Sequence, residues 1–136
     1  MSKRILVVDD NYANLKLASD VCACEGYLVD RAIDADTALE AISAHTPDLV
    51  LMDLALPGMD GVALTRHLRT LEATRDVPVV ALTAFAMKRD EDRAREAGCD
   101  AYVVKPIDTR ALPALLADLL ARRSKKAETV ENALPQ

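Results

Sequence analysis

The 136 residues include no tryptophan and one phenylalanine, and aromatics amount to 3% of the chain. Together with the absence of a glycine-rich loop near the amino terminus, this speaks against a flavin-binding protein. Cysteines number three. Cys22 and Cys24 are two apart and Cys99 is remote, so neither a disulfide framework nor a CxxC metal or redox motif can be written, and a reducing cytoplasmic setting is expected. Lys plus Arg total 17 against 22 for Asp plus Glu, a formal charge of -5, which leaves no global positive field to gather nucleic acid. No stretch approaches the roughly 18 uncharged apolar residues of a membrane span. The four apolar residues between Arg4 and Asp9 are too few for a signal-peptide core. What remains is 51% hydrophobic and 29% charged, an ordinary globular balance at the length of one domain. At this size folding buries roughly two-thirds of the unfolded surface, enough for a core without disulfide or structural metal.

The apolar pattern alternates between two periods. Ile5 to Val8 is an unbroken β-branched and Leu run, as in a strand covered on both faces. Between Asn11 and Cys24, Leu15, Ala18, Val21 and Cys22 recur at helical spacing, and Gly26 supplies a stop. Tyr27 to Ala32 reads as a weaker strand, and Ala35, Ala38, Leu39 and Ile42 form a helical stripe closed off by Pro47. Leu49 to Met52 is a third strand ending on Asp53; the turn-rich stretch from Leu56 to Gly61 then leads into a helix with Val62, Leu64, Leu68 and Leu71. Pro78 to Leu82 is a fourth strand ending at Thr83, followed by a charged helix from Lys88 to Ala97 with Gly98 as its stop. Ala101 to Val104 is a fifth strand ending at Lys105, and Asp108 or Thr109 can cap a last helix with the stripe Leu112, Leu115, Leu116, Leu119 and Leu120. Pro113 falls about one turn inside that helix, where the cost reaches roughly 3 kcal/mol, so the helix is expected to start late or bend. Five such βα units predict a doubly wound α/β fold, a parallel sheet with helices on both faces. Residues 1–123 form the expected domain, and 124–136, polar and without an apolar face, read as a disordered tail.

In an open α/β sheet ligands bind beyond the carboxyl ends of the strands. Here those ends carry Asp9 and Asp10, Asp53, Thr83 and Lys105. A nucleotide protein of this architecture puts a glycine-rich phosphate loop after the first strand. This chain puts two carboxylates there, which repel a free phosphate anion and crowd one another unless a cation is bound. An all-oxygen site with few protein ligands suits Mg²⁺.

The ordered set Val8-Asp9-Asp10-Asn11, Leu51-Met52-Asp53, Leu56-Pro57-Gly58-Met59-Asp60-Gly61, Leu82-Thr83-Ala84 and Val104-Lys105-Pro106 resembles the receiver domain of two-component response regulators, over about residues 4 to 122. The resemblance extends to stand-alone, single-domain receivers and implies the flavodoxin-like strand order 2-1-3-4-5. It implies that Asp53 accepts a phosphoryl group from a phosphohistidine on a sensor histidine kinase or histidine phosphotransfer protein. By the same resemblance Asp10 ligates Mg²⁺ directly, Asp9 does so through water, and the Ala55 backbone carbonyl adds a ligand. Lys105 and Thr83 meet the phosphoryl oxygens, and Tyr102 is a rotameric switch coupled to Thr83. A downstream protein partner reads the surface of the fourth helix, fifth strand and fifth helix. Two positions flank the path of an attacking water in the family, and here they are Ala55 and Phe85, neither able to orient one.

The expected function is therefore a switch that promotes its own phosphorylation and dephosphorylation, with neither direct nucleic-acid binding nor membrane insertion. The residues after Lys105 are too few for a further output domain, so the alternative is a receiver fragment of a larger regulator or hybrid kinase. A less favoured rival is an aspartyl-nucleophile phosphohydrolase. Such enzymes keep a second Asp two residues after the nucleophile as general acid, and Ala55 has no proton to give. Met52, Met59 and Met87 read as packing residues, and His45 and His67 as surface residues without chemistry.

Overall fold

The computed structural model describes residues 2–84 and 87–133, with side chains as far as Arg122. Five strands, β1 (Arg4–Val8), β2 (Leu28–Ala32), β3 (Leu49–Asp53), β4 (Val79–Thr83) and β5 (Ala101–Val104), alternate with helices α1 (Tyr12–Cys24), α2 (Ala35–Ala44), α3 (Gly61–Thr70), α4 (Lys88–Ala97) and α5 (Leu112–Ala133). All strand pairs are parallel and the order is β2-β1-β3-β4-β5. Both the doubly wound fold and the 2-1-3-4-5 order expected from the sequence are borne out. Because β2 and β3 lie on opposite sides of β1, the strand order reverses there, and the crevice between the carboxyl ends of β1 and β3 is where such sheets hold ligands.

Alternation along the strands builds two cores. Ile5, Val7, Leu49, Leu51, Val80 and Leu82 face α1 and α5, where Leu15, Ala18, Cys22, Leu112 and Leu116 meet them. Leu6, Val8, Val50, Met52 and Val79 face the other way, against Ala35, Ala38 and Ile42 of α2 and Leu64 and Leu68 of α3. Complete burial of one Leu, Val or Ile side chain is worth about 1.5–3 kcal/mol, so the two clusters fix the strand ends firmly. Met52 lies in the second cluster, whereas Met59 and Met87 are exposed rather than packed, since each sits in a loop at the sheet's carboxyl end.

Local chemistry sets the helix starts. Asn11 caps α1 by accepting from the Asn14 N–H, Asp34 forms a capping box with Thr37, and Asp60 caps α3 by accepting from the Ala63 N–H. Asp108 holds a turn by accepting from the Arg110 and Ala111 N–H groups, and α5 begins only at Leu112. Pro113 thus lies in the first turn, where its missing N–H has no helical acceptor to lose. The α5 backbone is helical as far as Ala133. Among the described residues, no helix is long and apolar enough to cross a membrane.

Candidate functional site

The strands deliver their terminal side chains to one rim. Asp9 follows β1 and is 1% exposed; Asp53 ends β3 and is 4% exposed; Thr83 ends β4 and is buried. Asp10 is exposed beside them. Carboxylate oxygens of Asp9, Asp10 and Asp53 all lie within 4.8 Å of one another, a spacing compatible with one shared cation. Lys105, just beyond β5, is tied to the rim by its backbone N–H, which donates to the Thr83 carbonyl at 2.6 Å.

Two carboxylates this deeply buried need compensation, because a buried charge without a partner costs several kcal/mol. The Lys105 Nζ supplies it, donating to Asp9 Oδ2 at 2.8 Å and lying 3.4 Å from Asp53 Oδ2. The other Asp9 oxygen accepts from the Asn11 N–H at 2.9 Å, and Asp53 Oδ1 accepts from the Ala55 N–H at 3.0 Å. Asp53 nevertheless titrates above the ordinary carboxylate range. Burial is the main cause and the charge of Asp9 adds to it, while the Ala55 N–H and the Lys105 ammonium pull the other way. Three clustered carboxylates with one lysine leave net negative charge at the rim, and all the side-chain donors are oxygens, the set that hard divalent cations prefer.

All the strand-end residues singled out from the sequence therefore converge. Tyr102 is half-buried; it pairs in register with Ala81, and Thr83 with Val104, so Tyr102 and Thr83 project from the same face of the sheet. Phe85 lies outside the described residues. His45 and His67 are exposed on α2's end and α3, away from the rim. The sequence reading missed that Lys105 bonds more closely to Asp9 than to Asp53, a contact between residues 96 apart that no local pattern announces. It also missed a cavity of about 150 Å³ beside the end of β3, lined by Leu54, Ala55, Asp60, Val62, Thr83, Asp90 and Arg93. Asp90 and Arg93 belong to a helix so rich in charge that nothing in its sequence separates them from their neighbours.

Residues 5–117 match the family model of the response regulator receiver domain. The chain belongs to that family. It is a signalling family of two-component systems, and its members among curated proteins include the polar-differentiation response regulator DivK of Brucella ovis, 45% identical over 107 residues that cover 79% of this chain and 87% of DivK. Among solved structures, a CheY-like receiver domain protein from Methanospirillum hungatei superposes with a TM-score of 0.85 at 31% identity, covering 93% of this chain and 99% of that one. The receiver domain of sensor histidine kinase PA1611 from Pseudomonas aeruginosa, solved with a magnesium ion coordinated in its active site cleft, gives 0.81 at 32% identity, covering 89% and 99%.

Proposed function

We propose that this receiver takes a phosphoryl group on Asp53 in a Mg²⁺-dependent step and signals by changing its affinity for a protein partner. The observation that carries the reading is the rim itself: a buried carboxylate at the end of a central strand, with two more acids and a lysine around it. In the transfer, an Asp53 carboxylate oxygen attacks phosphorus in line, the P–N bond of a phosphohistidine breaks, and the imidazole of a sensor histidine kinase or phosphotransfer protein leaves with the bonding pair. Such transfer needs positioning and charge neutralisation more than covalent help. The Ala55 N–H fixes one Asp53 oxygen and leaves the other, Oδ2, on the Lys105 side. Lys105 then pairs with the arriving phosphoryl oxygens and Thr83 donates its hydroxyl to one of them.

Asp10, Asp53 and the Ala55 carbonyl are the proposed Mg²⁺ ligands, with Asp9 acting through water. When bound, the cation supplies the positive charge that brings a phosphoryl group up to a carboxylate. Tyr102, on the face it shares with Thr83, is the proposed switch, and the surface of α4, β5 and α5 the partner face. We assign residues 1–123 to the receiver domain and place it in the cytoplasm. The test is incubation with acetyl phosphate and Mg²⁺, read by intact mass. A gain of one phosphoryl group is expected, lost when EDTA replaces Mg²⁺; no gain at any Mg²⁺ concentration refutes the reading.

Two further results are expected. Millimolar Mg²⁺ binds only the folded state and relieves the crowded carboxylates, so it raises the melting temperature, and Asp10→Asn blunts that rise. A full response in Asp10→Asn argues against direct coordination. The phosphorylated state is also expected to be long-lived, since loss requires a positioned water and the Ala55 methyl and Phe85 ring offer no hydrogen bond. The double variant Ala55→Asn with Phe85→Glu is expected to decay about tenfold faster, a small part of the roughly 10²–10⁴-fold that a fully positioned general acid or base contributes. Equal decay of variant and parent removes these side chains from the control of water.

A further inference from the structure

Three acids share the rim, but they are not held alike. Asp9 and Asp53 are buried, and packing fixes them. Asp10 is exposed, so the direction of its carboxylate depends on the backbone to either side. The chain has only two soft dihedrals per residue, and pinning both neighbours leaves the residue between them little freedom.

Both neighbours of Asp10 are pinned. The Asp9 N–H donates at 3.0 Å to the carbonyl of Ala32, a buried residue at the end of β2. The Asp9 carboxylate then turns back along the chain. Its Oδ1 accepts from the Asn11 N–H at 2.9 Å, closing a turn with Asp10 at the apex, while Oδ2 accepts from Lys105 at 2.8 Å. On the far side Asn11 is tied to α1 twice: its side-chain oxygen accepts from the Asn14 N–H at 3.0 Å, and its carbonyl accepts from the Leu15 N–H at 2.9 Å. Leu15 and Ala18 anchor that helix in the first core. Asn11 itself is exposed, with extended backbone (φ −91°, ψ 117°), so the cap rather than packing holds it.

We propose that Asn11 is a positioning residue for the rim: its side chain caps α1 while its N–H holds Asp9, and the turn so fixed aims Asp10 and sets the affinity of the site for a small divalent cation. This role rests on the rim being a Mg²⁺ site, and Asn11 is not one of the ligands. Mg²⁺ demands near-ideal octahedral geometry, whereas Ca²⁺ accepts irregular arrangements, so a ligand aimed in advance matters more to the smaller ion. Residues that orient metal ligands without touching the metal commonly contribute 10–100-fold in affinity.

The experiment titrates Mg²⁺, and separately Ca²⁺, into the metal-free full chain and follows the backbone amides of residues 9–11 and 53–55 by NMR. Asn11→Ala removes the cap and is expected to weaken Mg²⁺ binding about tenfold and Ca²⁺ binding about threefold or less. Asn11→Ser restores a cap of similar strength and is expected to bind Mg²⁺ within about twofold of the parent. In metal-free Asn11→Ala the amide at position 11 is expected to exchange with solvent about tenfold faster than in the parent, a readout independent of any cation. Equal Mg²⁺ binding by parent and Asn11→Ala overturns the positioning role alone. So does an Asn11→Ser variant as weak as Asn11→Ala, or an equal loss for the two cations. A parent without a saturable Mg²⁺ response overturns the cation reading as well. Should Asn11→Ala fail to fold, Asn11→Gly decides: glycine is tolerated at a helix start but lacks the side-chain hold, so parental Mg²⁺ affinity in that variant overturns the role.

Discussion

Replacing Asp53 by Asn is expected to abolish phosphoryl uptake from acetyl phosphate and to leave a folded, more heat-resistant protein. The first half follows from chemistry: an amide oxygen at this position is far too weak a nucleophile, and no neighbour substitutes for it, because both Asp9 oxygens are engaged by Lys105 and Asn11. The second half follows from electrostatics. Burial, with the Asp9 charge beside it, raises the Asp53 pKa, so in metal-free protein the charged carboxylate costs stability at neutral pH. Asn keeps the shape and still accepts the Ala55 N–H, but it carries no charge. Lys105 retains Asp9 at 2.8 Å and is not stranded. A rise in melting temperature on the order of 3 °C in EDTA at pH 7 is expected, the size that roughly 1 kcal/mol produces in a domain of this length. The sign fixes the pH dependence. The folded parent takes up its proton before the unfolded chain does, so the parent's handicap shrinks as pH falls through the raised Asp53 pKa. Uptake at the parental rate would place the acceptor elsewhere. A variant less stable than the parent at pH 7 would mean that the carboxylate is paired rather than crowded.

Gly61→Ala is expected to cost about 3 kcal/mol or more of folding stability, at the severe end for added atoms in a packed interior. A Cβ at Gly61 lies 2.3 Å from the Asp53 carbonyl oxygen and 2.7 Å from the Leu54 Cα. Both are backbone atoms of β3 and its exit, so no side chain can rotate aside. The start of α3 must lift from β3, and with it go the Gly61 N–H bond to the Leu54 carbonyl and the cap that Asp60 provides. Gly58→Ala is the control. That position has φ +73° but open space around the added methyl, so its cost is the left-handed backbone alone, about 1–2 kcal/mol. Urea unfolding with equal slopes for all three proteins compares them directly. If Gly61→Ala loses no more than Gly58→Ala, close approach is not what glycine serves there.

Much of the fold was legible because its signals are local. The apolar runs of β1, β3 and β4 are short, continuous and bounded, and α4 and β5 start and stop where charge, Gly98 and Lys105 said they should. The strand-end residues were legible for the same reason, since parallel strands of nearly equal length bring their carboxyl ends to one edge. What the sequence did not disclose depends on partners distant along the chain. Asp9 reads like any loop aspartate until Lys105 is placed against it. Arg69 reads as one cation on the polar side of α3, yet it reaches residues 98 and 100 across the fold. The start of α5 was blurred because two candidate caps precede Pro113, and the chain uses Asp108 for a turn rather than for the helix itself.

The burial of the Lys105–Asp9 pair has a consequence for how the site responds to dissolved salt. At physiological ionic strength the Debye length is about 8 Å, and mobile ions weaken pairs they can surround. Lys16–Asp20 and Glu91–Arg95 are open to that atmosphere, whereas Asp9 admits almost no solvent and Lys105 little. Monovalent salt therefore strips charge attraction from the helix surfaces and leaves the buried Lys105–Asp9 pair largely unscreened. Small inorganic ions reach the Lys105–Asp9 pair only by entering the pocket, so ionic strength and direct cation binding are expected to act on the site separately.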